Sequence, residues 1–179
     1  PEIGEYTANS VINFKDFGKA ENELKFIEQH KIKTYFYASQ NYPYRLKSNN
    51  DCPVLLYQIG DANLNADKII AIVGTRKPTE YGKHFCETLI NDIADTNTTI
   101  ISGLAYGVDI CSHKTALKNN LPTVGVLAHG LDRLYPAEHK KYAKNMMSEY
   151  HKKCVNELKL NGINTGNSNV EKLIGNFDD

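Results

Sequence analysis

No stretch of this 179-residue chain approaches the roughly 18 to 20 consecutive apolar residues that a membrane-spanning helix needs, so no transmembrane helix is predicted. No signal-peptide pattern opens it either, and a cytoplasmic protein without membrane contact is the expectation. An excess of charge is lacking too: 21 Lys and Arg balance 21 Asp and Glu. That balance excludes nucleic-acid binding by bulk charge, so any such binding must use a local patch. The four cysteines, Cys52, Cys86, Cys111 and Cys154, contain no CxxC pair, which argues against a zinc site or a disulfide framework and for reduced thiols. Also missing are the GxGxxG dinucleotide fingerprint, the Walker GxxxxGK[ST] loop, a GxSxG elbow, paired carboxylates and any metal-ligand cluster. The chain is therefore expected to be no enzyme, with no catalytic residue, no metal and no cofactor. It begins at Pro1 rather than a methionine, from which a fragment is expected.

What is present divides into three zones. Residues 1–50 carry helical patterns at Glu5 to Phe14 and Phe17 to His30, the second with Ala20, Leu24, Phe26 and Ile27 as its apolar stripe. A β-rich run, Lys33 to Ala38, follows as a linking strand. Residues 51–147 alternate strand and helix: strands at Val54 to Gln58, Ile69 to Val73, Thr98 to Ile101 and Thr123 to Leu127, helices at Thr79 to Ala94 and Val108 to Lys118. Near-continuous apolar strands separated by helices fit a parallel sheet covered on both faces, so an α/β, doubly wound, Rossmann-like core is predicted. Residues 148–179 turn rich in Asn and Lys, with a short helical pattern at Val170 to Ile174, and a loosely packed tail is expected.

Three loops follow three predicted strands, and in open α/β sheets ligands bind at the carboxyl ends of strands. In the first, Gly74 permits close backbone approach, Thr75 offers a hydroxyl and Arg76 a planar cationic fork suited to phosphate. The alternative leaves Gly74 as a tight turn and Arg76 paired with a surface carboxylate. In the second, Ser102, Gly103 and Gly107 keep the loop thin enough for its amides to meet a phosphate. Tyr106 either stacks on a base or is an ordinary packed tyrosine. Asp109 in the first turn of the next helix reads as a cap or brace, and His113 as a structural hydrogen-bonding residue. In the third loop His129, Gly130 and Arg133 are the candidate contacts, with Asp132 as anchor. The Lys140, Lys141, Lys144 run and Lys152, Lys153 could flank a groove or be plain solvated surface.

Taken in order, YPYRL at 42–46, PVLLYQIG at 53–60, IVGTR at 72–76, TEYG at 79–82, SGLAYGVD at 102–109, SHKTAL at 112–117 and GLDRLYP at 130–136 resemble the DNA-processing protein A (Smf) family. The opening PEIGEYTANSVI is similar to half of a helix-hairpin-helix motif. The resemblance implies an extended Rossmann fold that binds incoming single-stranded DNA in bacterial natural transformation, dimerises if the fold is complete, and helps load the RecA recombinase. It places the phosphate pocket on Gly74, Thr75, Arg76, Ser102, Gly103 and Gly107, with Arg76 foremost. Tyr106 stands where many relatives carry arginine, which makes the pocket less basic. Beyond residue 147 the family pattern is not recognisable, and a truncated, gapped or frame-shifted continuation is expected. Two other readings stay open: a nucleotide-binding, phosphoribohydrolase-like protein, whose PGGxGTxxE signature is missing, and a nonfunctional remnant.

Overall fold

The computed structural model describes residues 4–147. The tail expected over residues 148–179, with its short helix and Lys152 and Lys153, lies outside the described residues. The chain divides after Lys33 into two compact units.

The first unit holds α1 (Glu5–Ile12) and α2 (Gly18–Gln29). Phe14 and Phe17 meet edge to face at 5.3 Å in the turn between them. Past the end of α2, Lys31 takes a left-handed conformation (φ 51°), and the amide of Ile32 returns to the Ile27 carbonyl at 2.9 Å. Such a residue satisfies the orphan carbonyls that end a helix. Of the predicted α2 stripe, Phe26 and Ile27 are half-buried while Ala20 and Leu24 are exposed.

The second unit contains two sheets. Strands β1 (Lys33–Phe36) and β2 (Leu55–Gln58) pair, and the Tyr35 hydroxyl donates to Gln58 Oε1 at 2.6 Å. Between them in sequence lies the short helix α3 (Tyr44–Lys47). Strands β3 (Ile69–Ala71), β4 (Thr99–Ser102) and β5 (Thr123–Gly125) form the parallel sheet in the order β3-β4-β5. Register sets Ile70 beside Ile100 and Ile101 beside Val124. Helix α4 (Glu80–Asp92) joins the first two strands and α5 (Val108–Lys118) the last two.

This alternation is the α/β architecture the sequence predicts, and its core explains the pattern. Ile100 packs with Cys86 and Ile90 of α4, Ala116 of α5 and Leu121, with Ile70, Ile72 and Val108 against them. Each large aliphatic chain so buried contributes roughly 1.5–3 kcal/mol. Side chains alternate along a strand, so Ile69, Ile101 and Val124 line the other face. There they border a cavity of about 730 Å³ with Leu56, Ile59, Leu64 and Met146. Two strands stop earlier than expected. The ladder from β3 ends with the Ile72 amide on the Ile101 carbonyl at 2.8 Å, and that from β5 with the Val126 amide on the Ser102 carbonyl at 2.8 Å. Val73, expected inside a strand, is 84% exposed, because the chain has already turned away from the sheet. Residues 140–147 are helical after a short turn, Ala137–His139.

Candidate functional site

The loops after β3 and β4 interlock through two glycines. A Cβ on Gly74 would stand 2.6 Å from Val108 Cγ2, and one on Gly107 would run into the Thr75 carbonyl oxygen and lie 2.7 Å from Arg76 Cα. Gly107 also holds φ 85°, a conformation that side chains resist. The Val108 amide donates to the Thr75 carbonyl at 3.2 Å, and the Ser102 hydroxyl donates to the Ile72 carbonyl at 2.7 Å. Ser102 is only 2% exposed, so its hydroxyl serves this internal bond. The two loops thus form one continuous edge.

The second loop is braced from below. The Ala105 amide donates to Asp109 Oδ2 at 3.3 Å, and a Cβ on Gly103 would meet the same oxygen. His113 is fully buried, with Nε2 2.6 Å from the Gly103 carbonyl and Nδ1 2.7 Å from Thr123 Oγ1. Burial pushes its pKa down, against the smaller opposing pull of the Gly103 carbonyl and Asp109. A neutral ring facing a carbonyl, which can only accept, must carry its proton on Nε2. Nδ1 faces the Thr123 hydroxyl, which also reaches the Ile100 carbonyl at 3.1 Å, so β4, β5 and the loop are tied together through α5.

His139, which the sequence reading did not single out, supplies a second brace. It is buried, and Nδ1 lies 2.7 Å from the Leu104 carbonyl. Its ring meets Tyr106 edge to face at 5.0 Å. The Glu138 carboxylate beside Tyr106 raises the tyrosine pKa, with burial adding to the effect. Glu138 is lowered first by its own backbone and then by Tyr106. Tyr106 keeps 42% of its surface open. Contacts separated by some thirty residues leave no local pattern, which is why His139 was missed.

Arg76 is exposed and, among the described residues, makes no ion pair. The alternative of a structural Arg76–carboxylate pair is therefore not what these residues form. Lys77 beside it is also exposed; its amide donates to Thr75 Oγ1 at 3.2 Å. Adjacency to Arg76 was the signal that could have found it. The two helix N-termini at this edge differ: α4 has a side-chain cap and α5 has none. Thr79 caps α4 by accepting from the Gly82 amide at 3.1 Å, with Glu80 in the first turn, and Asp109 occupies the first turn of α5. Acidic residues there offset the positive ends of the helices. Arg76 and Lys77 are the exposed side-chain cations of the first loop at this edge.

The third loop is placed differently. His129, Gly130 and Arg133 border the cavity on the opposite sheet face, a lining that does not include Gly74, Thr75 or Arg76. A Cβ on Gly130 would press on Asp132 Oδ1 at 2.5 Å. His129 Nδ1 lies 2.8 Å from the Gly130 carbonyl, and Nε2 is buried without a hydrogen-bond partner. Among the described residues no group of three His, Cys, Asp or Glu side chains is arranged to hold a metal ion, and no helix is long and apolar enough to cross a membrane.

Residues 33–164 match the model of the DNA recombination-mediator protein A family. The chain belongs to that family. It is 36% identical to the DNA processing protein DprA of Bacillus subtilis over 135 residues, covering 75% of this chain and 46% of that one. Against protein Smf of Escherichia coli the identity is 33% over 133 residues, or 72% and 34% of the two chains. The chain thus spans less than half the length of these curated relatives. Among solved structures, DNA processing protein A of Streptococcus pneumoniae superposes with a TM-score of 0.58 at 32% identity, over 68% of this chain and 42% of that one. DNA processing protein A of Helicobacter pylori, characterised for its single-stranded DNA binding mode, gives 0.56 at 32% identity, over 65% and 52%. The Rossmann-like core read from the strand and helix pattern is the fold of these relatives.

Proposed function

We propose that this family member binds single-stranded DNA through the edge formed by the loops after β3 and β4, as a step of DNA processing in transformation. The observation that carries this reading is Arg76: an exposed guanidinium without an ion pair among the described residues, on a loop fixed from beneath by Gly107 and Val108. An unpaired planar cation on a rigid loop is suited to a phosphate oxygen. Lys77 adds a second charge, and the open face of Tyr106 offers a base a stacking surface. Gly74, Ser102, Gly103 and Gly107 shape the edge, and Asp109 and His113 hold it. Similarity to the Helicobacter pylori protein supports the same ligand.

Arg76→Ala tests it directly. The substitution should weaken binding to oligothymidylate and reduce the salt slope of the affinity by about one. An unchanged isotherm with an unchanged slope would overturn the reading. Protection of the bound strand, self-association and RecA loading belong to the same proposal, checked by nuclease resistance, sedimentation and RecA filament assembly on the bound strand. No catalytic step is assigned, and titration with a nucleoside monophosphate separates this reading from a nucleotide-binding one.

A further inference from the structure

The YPYRLK segment, Tyr42 to Lys47, takes no part in the loop edge but builds an exposed surface of its own within the second unit. Tyr42 is buried, and its hydroxyl donates to the Pro53 carbonyl at 2.6 Å, anchoring the approach to α3. Its ring meets that of Tyr37 edge to face at 5.8 Å. Tyr37 and Tyr44 remain 42% and 55% exposed. The Lys47 ammonium lies 5.1 Å from the Tyr37 ring centroid, and the Arg45 guanidinium 4.6 Å from that of Tyr44. Arg45 is fixed by bonds to the Ala66 and Asp67 carbonyls at 2.9 and 3.0 Å. Carbonyls orient a guanidinium without cancelling its charge. Lys47 makes no ion pair among the described residues. Ring, cation, ring and cation therefore alternate over one turn of helix and the strand end beside it.

Single-stranded nucleic acid carries the matching repeat, a flat base and an anionic phosphate in every nucleotide, and proteins grip it with aromatic platforms in cationic grooves. A duplex hides its base faces, and the centre of a protein interface is depleted of lysine because the ammonium would lose its water there. We propose that Tyr37, Tyr44, Arg45 and Lys47 form a second stacking site for single-stranded DNA, one that engages further nucleotides of a strand held at Arg76. This rests on the reading of the chain as a single-stranded DNA binder.

The test uses the full chain with labelled oligothymidylates of about 6 and about 30 nucleotides, lengths that one site and two sites would respectively occupy. Tyr37→Leu with Tyr44→Leu should leave the short strand's affinity unchanged and lower the long strand's about tenfold, the scale of a lost base stack. Lys47→Glu, a change at an exposed residue that spares the fold, should lower only long-strand affinity as well. Bromouracil-substituted long strands should photocrosslink to the peptide containing Tyr44. Unchanged long-strand affinity in both variants, without that crosslink, would overturn the proposal. So would a defect confined to self-association, which would make the patch a protein interface. If Arg76→Ala spares binding that the patch variants abolish, the loop reading fails while the patch stands. If the wild-type chain binds neither length, both fail.

Discussion

The backbone amide of Val108 donates to the Thr75 carbonyl at 3.2 Å, which joins the first residue of α5 to the loop that follows β3. With Gly107 pressed on Thr75 and Arg76 from the same side, the position of the Arg76 guanidinium depends on the fold of the loop after β4.

Gly107→Ala should therefore be among the most damaging single-methyl additions in the chain. It places a side chain at φ 85° and drives it into the Thr75 and Arg76 backbone. The left-handed strain alone costs about 1–3 kcal/mol, and the clash adds to it. A urea melt should show the midpoint falling sharply, whereas an unshifted midpoint would mean that the loops part easily.

Gly74→Ala meets a side chain rather than backbone, since its Cβ would stand 2.6 Å from Val108 Cγ2. Overpacking of this kind costs about 1–3 kcal/mol. Val108→Ala should recover part of that loss in the double variant, so the two changes should be non-additive by about 0.5 kcal/mol or more. Strict additivity of the melting free energies would show that the two residues do not touch.

His113 gives the stability a pH dependence of definite sign. Its pKa is lowered in the fold by burial, so the unfolded chain binds the proton more tightly. The contribution is complete above the unfolded pKa of about 6.5 and is lost as pH falls toward the depressed folded value. Unfolding free energies measured from about pH 8 down to about pH 5 should decline, and His113→Asn should flatten that part of the profile. A decline of equal size in the variant would assign it to other groups.

Cys111 should be a poor nucleophile despite being only partly buried. Loss of solvation, with the neighbouring Cys86 thiol as the next cause, pushes its pKa up to about 11. At neutral pH only about one thiol in ten thousand would then be ionised, and the thiolate is the reactive form. Alkylation followed by mass spectrometry should find Cys111 modified slowly, with the rate climbing as pH is raised; rapid labelling at pH 7 would contradict the burial described.

The strands and crossover helices were legible in the sequence because apolar β runs such as Ile69 to Val73 and amphipathic segments such as Thr79 to Ala94 announce themselves locally. Strand ends were less so: Val73 carries the composition of a strand, yet it has already left the ladder. The glycines of the first two loops were readable as positions that exclude a Cβ, but not what would exclude it. Val108 against Gly74, and Thr75 against Gly107, are tertiary facts. Ser102 illustrates the limit from the other side, since a hydroxyl in a phosphate-loop position reads as a ligand contact until its bond to the Ile72 carbonyl is seen. His129, Gly130 and Arg133 of the third loop border the cavity across the sheet, which Leu104 of the second loop also lines. Sequence order gives the sheet edge on which a loop emerges but not the face toward which it folds.

The seam between Gly107 and Thr75 also bears on how quickly the proposed ligand is captured. The conformational freedom that a binding loop usually surrenders on contact has here been lost already, when the chain folded. Association at Arg76 should then be a single kinetic step, its observed rate rising linearly with protein concentration rather than levelling off at a slow loop-closing rearrangement.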